Sequence, residues 1–162
     1  MKKLIIIRHA KSSWKYDVID HERPLNSRGL SDSVLISSTL KFKNITADLV
    51  MVSDAFRTKE TANIILKALK FDENKVIFNH DLYDFEGRNL LQVIKNCDKS
   101  INTLMVFGHN HAITSFVNTY GNKIIENVPT CGVVIIDFDI DSWKGLKKGK
   151  TVETIFPKNL KN

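Results

Sequence analysis

The stretch Leu4-Ile5-Ile6-Ile7-Arg8-His9 decides how the rest of the chain is read. A run of branched apolar residues suits a strand buried on both faces. The run stops at Arg8. Despite the positive Met1-Lys2-Lys3 start, it is too short for the apolar core of a signal peptide. It is far too short to span a bilayer, so no membrane association is expected. It reads as a first strand that delivers a guanidinium and an imidazole to its carboxyl end.

The following segment, Lys11 to about Asn26, is a polar loop. Asn26 or Ser27 then caps a helix from about Gly29 to Lys41, with Leu30, Val34, Leu35 and Leu40 as its expected apolar face. Leu49 to Val52 is a second strand. Ser53-Asp54 caps the next helix, about Phe56 to Leu69, which places Ala62, Ile65, Leu66 and Leu69 on one side. Val76 to Phe78 is a short third strand. Leu90, Leu91 and Ile94 mark a helix ending near Asn96, and Thr103 to Phe107 is a strongly apolar strand. Gly108-His109-Asn110 is the turn after it, followed by a helix over Ala112 to Thr119. Val133 to Phe138 and Val152 to Phe156 are the last two strands.

Strand and helix alternate, which is the grammar of an α/β fold: a three-layer α/β/α sandwich with a mostly parallel central sheet. The 162 residues suit one domain spanning 1–162, because no Pro/Gly/Ser-rich linker divides them. In such sheets ligands bind beyond the carboxyl ends of the strands. Arg8-His9, Ser53 to Arg57 and Gly108-His109 lie there.

Each of these residues also has a plain reading. His9 can be a nucleophile, a base, a metal ligand or a structural histidine. Arg57 sits in a helix's first turn, where the dipole disfavours a cation unless an anion binds beside it. Otherwise it is a surface arginine paired with Asp54 or Glu60. His109 is either a phosphoryl-oxygen donor or a satisfied turn histidine, and Gly108 permits a tight turn or a close ligand. His21 and His111 are undecided, and His80 reads as an ordinary loop residue.

The net charge of +6 favours anionic partners. The densest basic stretch, Lys144 to Lys150, has only Trp143 as an aromatic neighbour, so it reads as a solvated loop; nucleic acid is not the expected partner. Cys97 and Cys131 form no spaced framework and read as reduced thiols of a cytoplasmic protein. No CxxC or HExxH spacing occurs, so no dedicated metal site is expected.

In combination these segments resemble a known family. Ile6-Ile7-Arg8-His9-Ala10-Lys11-Ser12-Ser13-Trp14 resembles the Arg-His-Gly signature of the histidine phosphatase superfamily, with its phosphoglycerate-mutase-like fold. Val52 to Ala62 looks like its S-x-x-x-R-x-x-x-T-A pattern, and Val106-Phe107-Gly108-His109-Asn110 looks like its strand ending in Gly-His. Arg23-Pro24-Leu25-Asn26-Ser27-Arg28-Gly29 resembles a segment of the short phosphohistidine phosphatase branch, which the chain length also suits. The resemblance implies attack by His9 on phosphorus and a transient phosphohistidine. Arg8, Arg57 and His109 would hold the phosphoryl oxygens, without metal or cofactor.

The chain departs from the family pattern at Ala10, where glycine is usual, and at His111, where proline is frequent. Lys15 falls where mutase-like members place an asparagine, and Ser12 reads as a loop serine rather than a phosphate donor. For the general acid, Asp84 in Leu82-Tyr83-Asp84 matches best, with Glu86 and Asp81 as alternatives. The implied substrate is a phosphohistidine-bearing protein. A phosphatase of small esters or nucleotides and a non-catalytic phosphate-binding module are the competing readings. A mutase would need inserted elements that the chain lacks.

Overall fold

In the computed structural model, which describes residues 1–161, the expected strands form and pair. They are β1 (Lys2–Arg8), β2 (Leu49–Val52), β3 (Val76–Phe78), β4 (Thr103–Gly108), β5 (Val133–Phe138) and β6 (Lys150–Ile155). The helices are α1 (Ser27–Phe42), α2 (Phe56–Ala68), α3 (Arg88–Lys95), α4 (Ala112–Tyr120) and the short α5 (Pro157–Leu160). The six strands make one sheet in the order β3-β2-β4-β1-β5-β6. β1 runs parallel to β4, and β2 runs parallel to both β4 and β3. β5 lies antiparallel to β1, and β6 antiparallel to β5.

The sheet is buried on both sides because β1 alternates between two cores. Leu4 and Ile6 pack with Leu90, Ile94, Ile113 and Val117 of α3 and α4. Ile5 and Ile7 pack with Ile36, Leu40, Ala62 and Ile65 of α1 and α2. All four β1 residues are at most 1% exposed, so a polar residue at any of them would lack a partner. The three-layer α/β/α sandwich with a mixed, partly parallel sheet follows directly from this two-sided burial.

The chain leaves β1 toward β2 and leaves β4 toward β5, in opposite directions across the sheet. The crevice between β1 and β4 is therefore a topological switch point, the usual place for a ligand in an open α/β sheet. Arg8 pairs with Gly108 in the β1–β4 register, which puts His9 and His109 side by side.

The face of α1 differs from the expected one. Leu30 and Val34 are 44% and 57% exposed, and Leu35 is half-buried. The buried residues are Gly29, Asp32, Ser33, Ile36, Ser37 and Leu40. Close packing selects this face: a Cβ on Gly29 would sit 2.1 Å from the Lys11 carbonyl oxygen. The buried serines are satisfied within the helix, Ser33 Oγ donating to Gly29 O at 2.7 Å and Ser37 Oγ to Ser33 O at 2.6 Å. Asp32 is answered by Lys161 Nζ at 2.8 Å. The Asn26 cap forms as expected, its side chain accepting from Gly29 N at 2.8 Å.

Part of the basic stretch joins the sheet, since β6 starts at Lys150 rather than near Val152. Trp143 is fully buried and donates to Ile101 O at 2.8 Å, which anchors the preceding turn. In the β5–β6 register Lys150 faces Asp137, whereas Ile155 faces Val133. The stretch thus lies at the end of the sheet opposite His9. Cys97 and Cys131 are both free and buried; burial pushes their thiols up to about 11 and about 12, so they stay neutral.

Helix propensity alone favours alanine over glycine by roughly 1 kcal/mol. The contact at Gly29 opposes that gain with backbone overlap. Gly29→Ala is therefore expected to lower stability by about 1–3 kcal/mol in urea unfolding. A stability gain would show that α1 moves off the Lys11 backbone freely.

Candidate active site

His9 is placed by the last residues of β1, its backbone N donating to Gly108 O at 3.1 Å. Its carbonyl and that of Arg8 both accept from Cys131 N at 3.0 Å, and Ala10 N donates to Thr61 Oγ1 at 2.9 Å. Thr61 in turn donates to Arg57 O at 2.8 Å, so one hydroxyl couples the His9 segment to α2. The His9 ring is 7% exposed. Burial pushes its imidazole down to about 3; the Ala10 carbonyl pulls the other way, and Arg57 pushes further down. The ring is neutral. Nδ1 lies 2.7 Å from Ala10 O, which assigns the proton to Nδ1 and leaves the lone pair on Nε2.

Arg57 Nε donates toward that lone pair from 3.4 Å. The guanidinium is 2% exposed. Its far end is held by the 3-10 turn Asp20–Glu22: Nη1 donates to Asp20 O at 2.7 Å and Nη2 to Asp20 Oδ2 at 3.0 Å. This end-on grip leaves the Nε side facing His9. Burial raises the Asp20 carboxyl, but hydrogen bonds from Tyr83 and Arg57 outweigh it and hold it well below the usual carboxylate range. Arg23 Nε adds a third donor at 3.0 Å, while its Nη1 donates to Ser12 Oγ at 2.6 Å.

His109 is 1% exposed, its ring 5.1 Å from that of His9. Burial, His9 and Arg57 push its imidazole down to about 2. Ser53 Oγ accepts from Ala55 N at 3.3 Å and lies 2.8 Å from His109 Nε2. When the hydroxyl donates to Nε2, Nδ1 carries the ring's own proton. Arg8 donates through Nη1 to Val128 O at 2.9 Å. Arg8 Nε and His109 Nδ1 are buried with no hydrogen-bond partner among the described residues. Buried polar atoms without partners are rare, and these two lie at adjacent strand ends, where a bound anion could answer them.

Arg8, His9, Arg57 and His109 thus come together at the switch point. Asp84 lies between Tyr83 and Phe85, whose rings are 5.3 and 5.2 Å from that of His109. Its carboxylate accepts from Glu86 N at 3.1 Å, Gly87 N at 3.1 Å and Leu90 N at 2.9 Å, which caps the start of α3. The alternative pairing of Arg57 with Asp54 or Glu60 does not form. Asp54 binds His21 and His80, and Glu60 accepts from Leu25 N at 2.8 Å. Lys15 and His111 face solvent. A Cβ on Gly108 would meet nothing closer than 3.7 Å, so neither turn geometry nor crowding within the fold requires glycine there.

Sequence reasoning missed Asp20 and Tyr83. Nothing local marks them, since Asp20 lies 37 residues from Arg57 and 63 from Tyr83 along the chain. Ser53 and Thr61 were visible only as fixed positions of a motif.

The family model described as histidine phosphatase superfamily (branch 1) matches residues 4–96, a range that includes Arg8, His9 and Arg57. An uncharacterized chloroplastic protein of Arabidopsis thaliana is 28% identical over 152 residues, covering 88% of this chain and 69% of that one. An uncharacterized protein of Mycobacterium tuberculosis is 24% identical over 140 residues, covering 80% and 85%. The structure of the protein histidine phosphatase SixA complexed with tungstate has a TM-score of 0.80 at 19% identity, covering 98% of this chain and 99% of that one. A mycobacterial glucosyl-3-phosphoglycerate phosphatase complexed with VO3 has a TM-score of 0.68 at 11% identity, covering 94% and 98%. These structural likenesses show the fold, and the family match spans more than half of the chain. The chain belongs to the histidine phosphatase superfamily, branch 1.

Proposed function

We propose that the protein is a phosphatase that works through a phosphohistidine at His9 and acts on phosphohistidine-bearing proteins. The observation that carries this reading is the neutral His9 ring, with Nδ1 tied to Ala10 O at 2.7 Å and Nε2 open beside Arg57. The Nε2 lone pair attacks phosphorus in line. The N–P bond forms as the bond to the leaving group breaks. Arg57 Nε–H, Arg8 Nε–H and His109 Nδ1–H donate to the phosphoryl oxygens, whose charge they answer in a low-dielectric corner. Water then attacks phosphorus, the N–P bond breaks, and His9 returns with its lone pair. The two arginines supply the positive charge, and the neutral His109 ring adds a hydrogen bond.

The leaving group follows from the carboxylates. An alkoxide leaving from an ester needs a proton from an acid. Asp20 stays ionised against Arg57, Arg23 and Tyr83, and Asp84 is spent on the α3 cap. A phosphoimidazole whose other ring nitrogen is protonated leaves as a neutral ring without such an acid. The mouth also suits a macromolecule. Trp14, Tyr16, Val18 and Ile19 are 76%, 56%, 41% and 67% exposed on the loop between His9 and Asp20. The Arg23 guanidinium stacks 3.6 Å over Trp14 at the base of that loop.

Acid-quench trapping with a labelled aryl phosphate tests the nucleophile. Wild type should carry an acid-labile, base-stable label; His9→Ala should carry none and lose roughly 10⁴-fold or more in rate. Labelled His9→Ala would sink the reading. A phosphohistidine protein should be turned over with higher kcat/KM than a phosphoserine peptide or an aryl ester, and the reverse order would move the substrate to small esters.

Asp20→Asn keeps the shape but removes the charge behind Arg57. It should lower kcat/KM about 10- to 100-fold, with His9 still trapped as phosphohistidine. An unchanged kcat/KM would mean that Arg57 orients without it.

The pH dependence has a definite sign. His9 and His109 sit below the ordinary imidazole value of 6.5 when folded, and the unfolded chain binds their protons first. Stability should therefore fall as pH drops below about 6.5, and replacing His109 with Gln should flatten that fall. The acid limb of kcat/KM should lie below that of free imidazole, since His9 stays unprotonated there. A limb near pH 6.5 would contradict a buried neutral nucleophile.

A further inference from the structure

His21, Asp54 and His80 converge at the rim of this site from three segments: the turn Asp20–Glu22, the loop after β2 and the turn His80–Leu82. One ligand atom from each lies within 4.8 Å of the others. His21 Nε2 is 2.8 Å from Asp54 Oδ1, and His80 Nδ1 is 3.0 Å from Asp54 Oδ2. Donors on one tetrahedral zinc ion, at bonds of about 2.0–2.2 Å, stand roughly 3.3 Å apart. Slight outward movement of the two rings gives that spacing. The side chains are 31%, 29% and 71% exposed, so an ion can enter and water can complete its shell. Asp54 has no other side-chain partner among the described residues.

We propose that His21, Asp54 and His80 bind one divalent transition-metal ion of the zinc class and so cross-link the three segments. Two imidazoles and one carboxylate suit zinc, cobalt or nickel, whereas magnesium and calcium take oxygen ligands. The ion takes no part in phosphoryl transfer. It acts on the support of Arg57: His21 follows Asp20, and Tyr83, three residues after His80, donates to the same Asp20 carboxylate. Fixing both segments holds the Asp20 grip on the guanidinium.

The test uses the whole protein at neutral pH, with Co²⁺ and Zn²⁺ as probes and readouts that do not depend on turnover. Co²⁺ should bind one to one with a visible absorption band stronger than that of the hydrated ion, and Zn²⁺ should displace it. Zn²⁺ at about 100 times its Kd should raise Tm by roughly 5–10 °C, and Mg²⁺ should not. His80→Ala, at a mostly exposed position, should weaken binding by at least about tenfold and lose the band. Asp54→Asn should do the same, whereas His9→Ala should keep both band and Tm shift. No band in wild type, or unchanged binding in His80→Ala, overturns the site. Loss of the band in His9→Ala moves the ion into the phosphoryl cradle and overturns it equally.

Discussion

A guanidinium as buried as that of Arg57 must have its charge answered where it lies. Asp20 answers it with a backbone carbonyl and a carboxylate oxygen, both at the far end of the fork. That choice of end is what makes the site usable, because it turns the Nε side toward His9. The same carboxylate gathers Arg23 and Tyr83, so three segments of chain are tied to one pair of oxygens. Without Asp20, burying Arg57 beside Arg8 and two imidazoles would place uncompensated positive charge in a low-dielectric corner.

The imidazoles solve the same problem differently, by staying neutral. Burial and the neighbouring cations keep protons off His9 and His109. Each ring then has one nitrogen fixed by the fold, through Ala10 O for His9 and Ser53 Oγ for His109. The other nitrogen carries a lone pair on His9, beside Arg57, and on His109 it has no partner among the described residues. Neutrality leaves His9 a free lone pair, and the arginines give the corner its positive charge.

The sheet supplies the coincidence in space. β1 and β4 are neighbours whose connections leave in opposite directions, so their ends open a crevice. Serines and a glycine let α1 lie close beneath the His9 loop. His21, Asp54 and His80 ring the rim because the loops that carry Asp20, Ser53 and Tyr83 meet there.

The sequence by itself determined the strands, the α/β alternation, and the placing of Arg8, His9 and His109 at strand ends and of Arg57 in the first turn of α2. These are local matters: an apolar run and the residues immediately after it lie in one short window. Only the tertiary structure decided that Asp20 anchors Arg57, that Asp84 caps α3, that α1 buries serines rather than Leu30 and Val34, and that two histidines share Asp54. Each depends on groups far apart in the chain, or on a choice between two faces of similar hydrophobicity. Propensity and spacing carry no information about which distant carboxylate meets which cation. Packing at Gly29, and charge compensation at Arg57, settle it only once the chain has closed on itself.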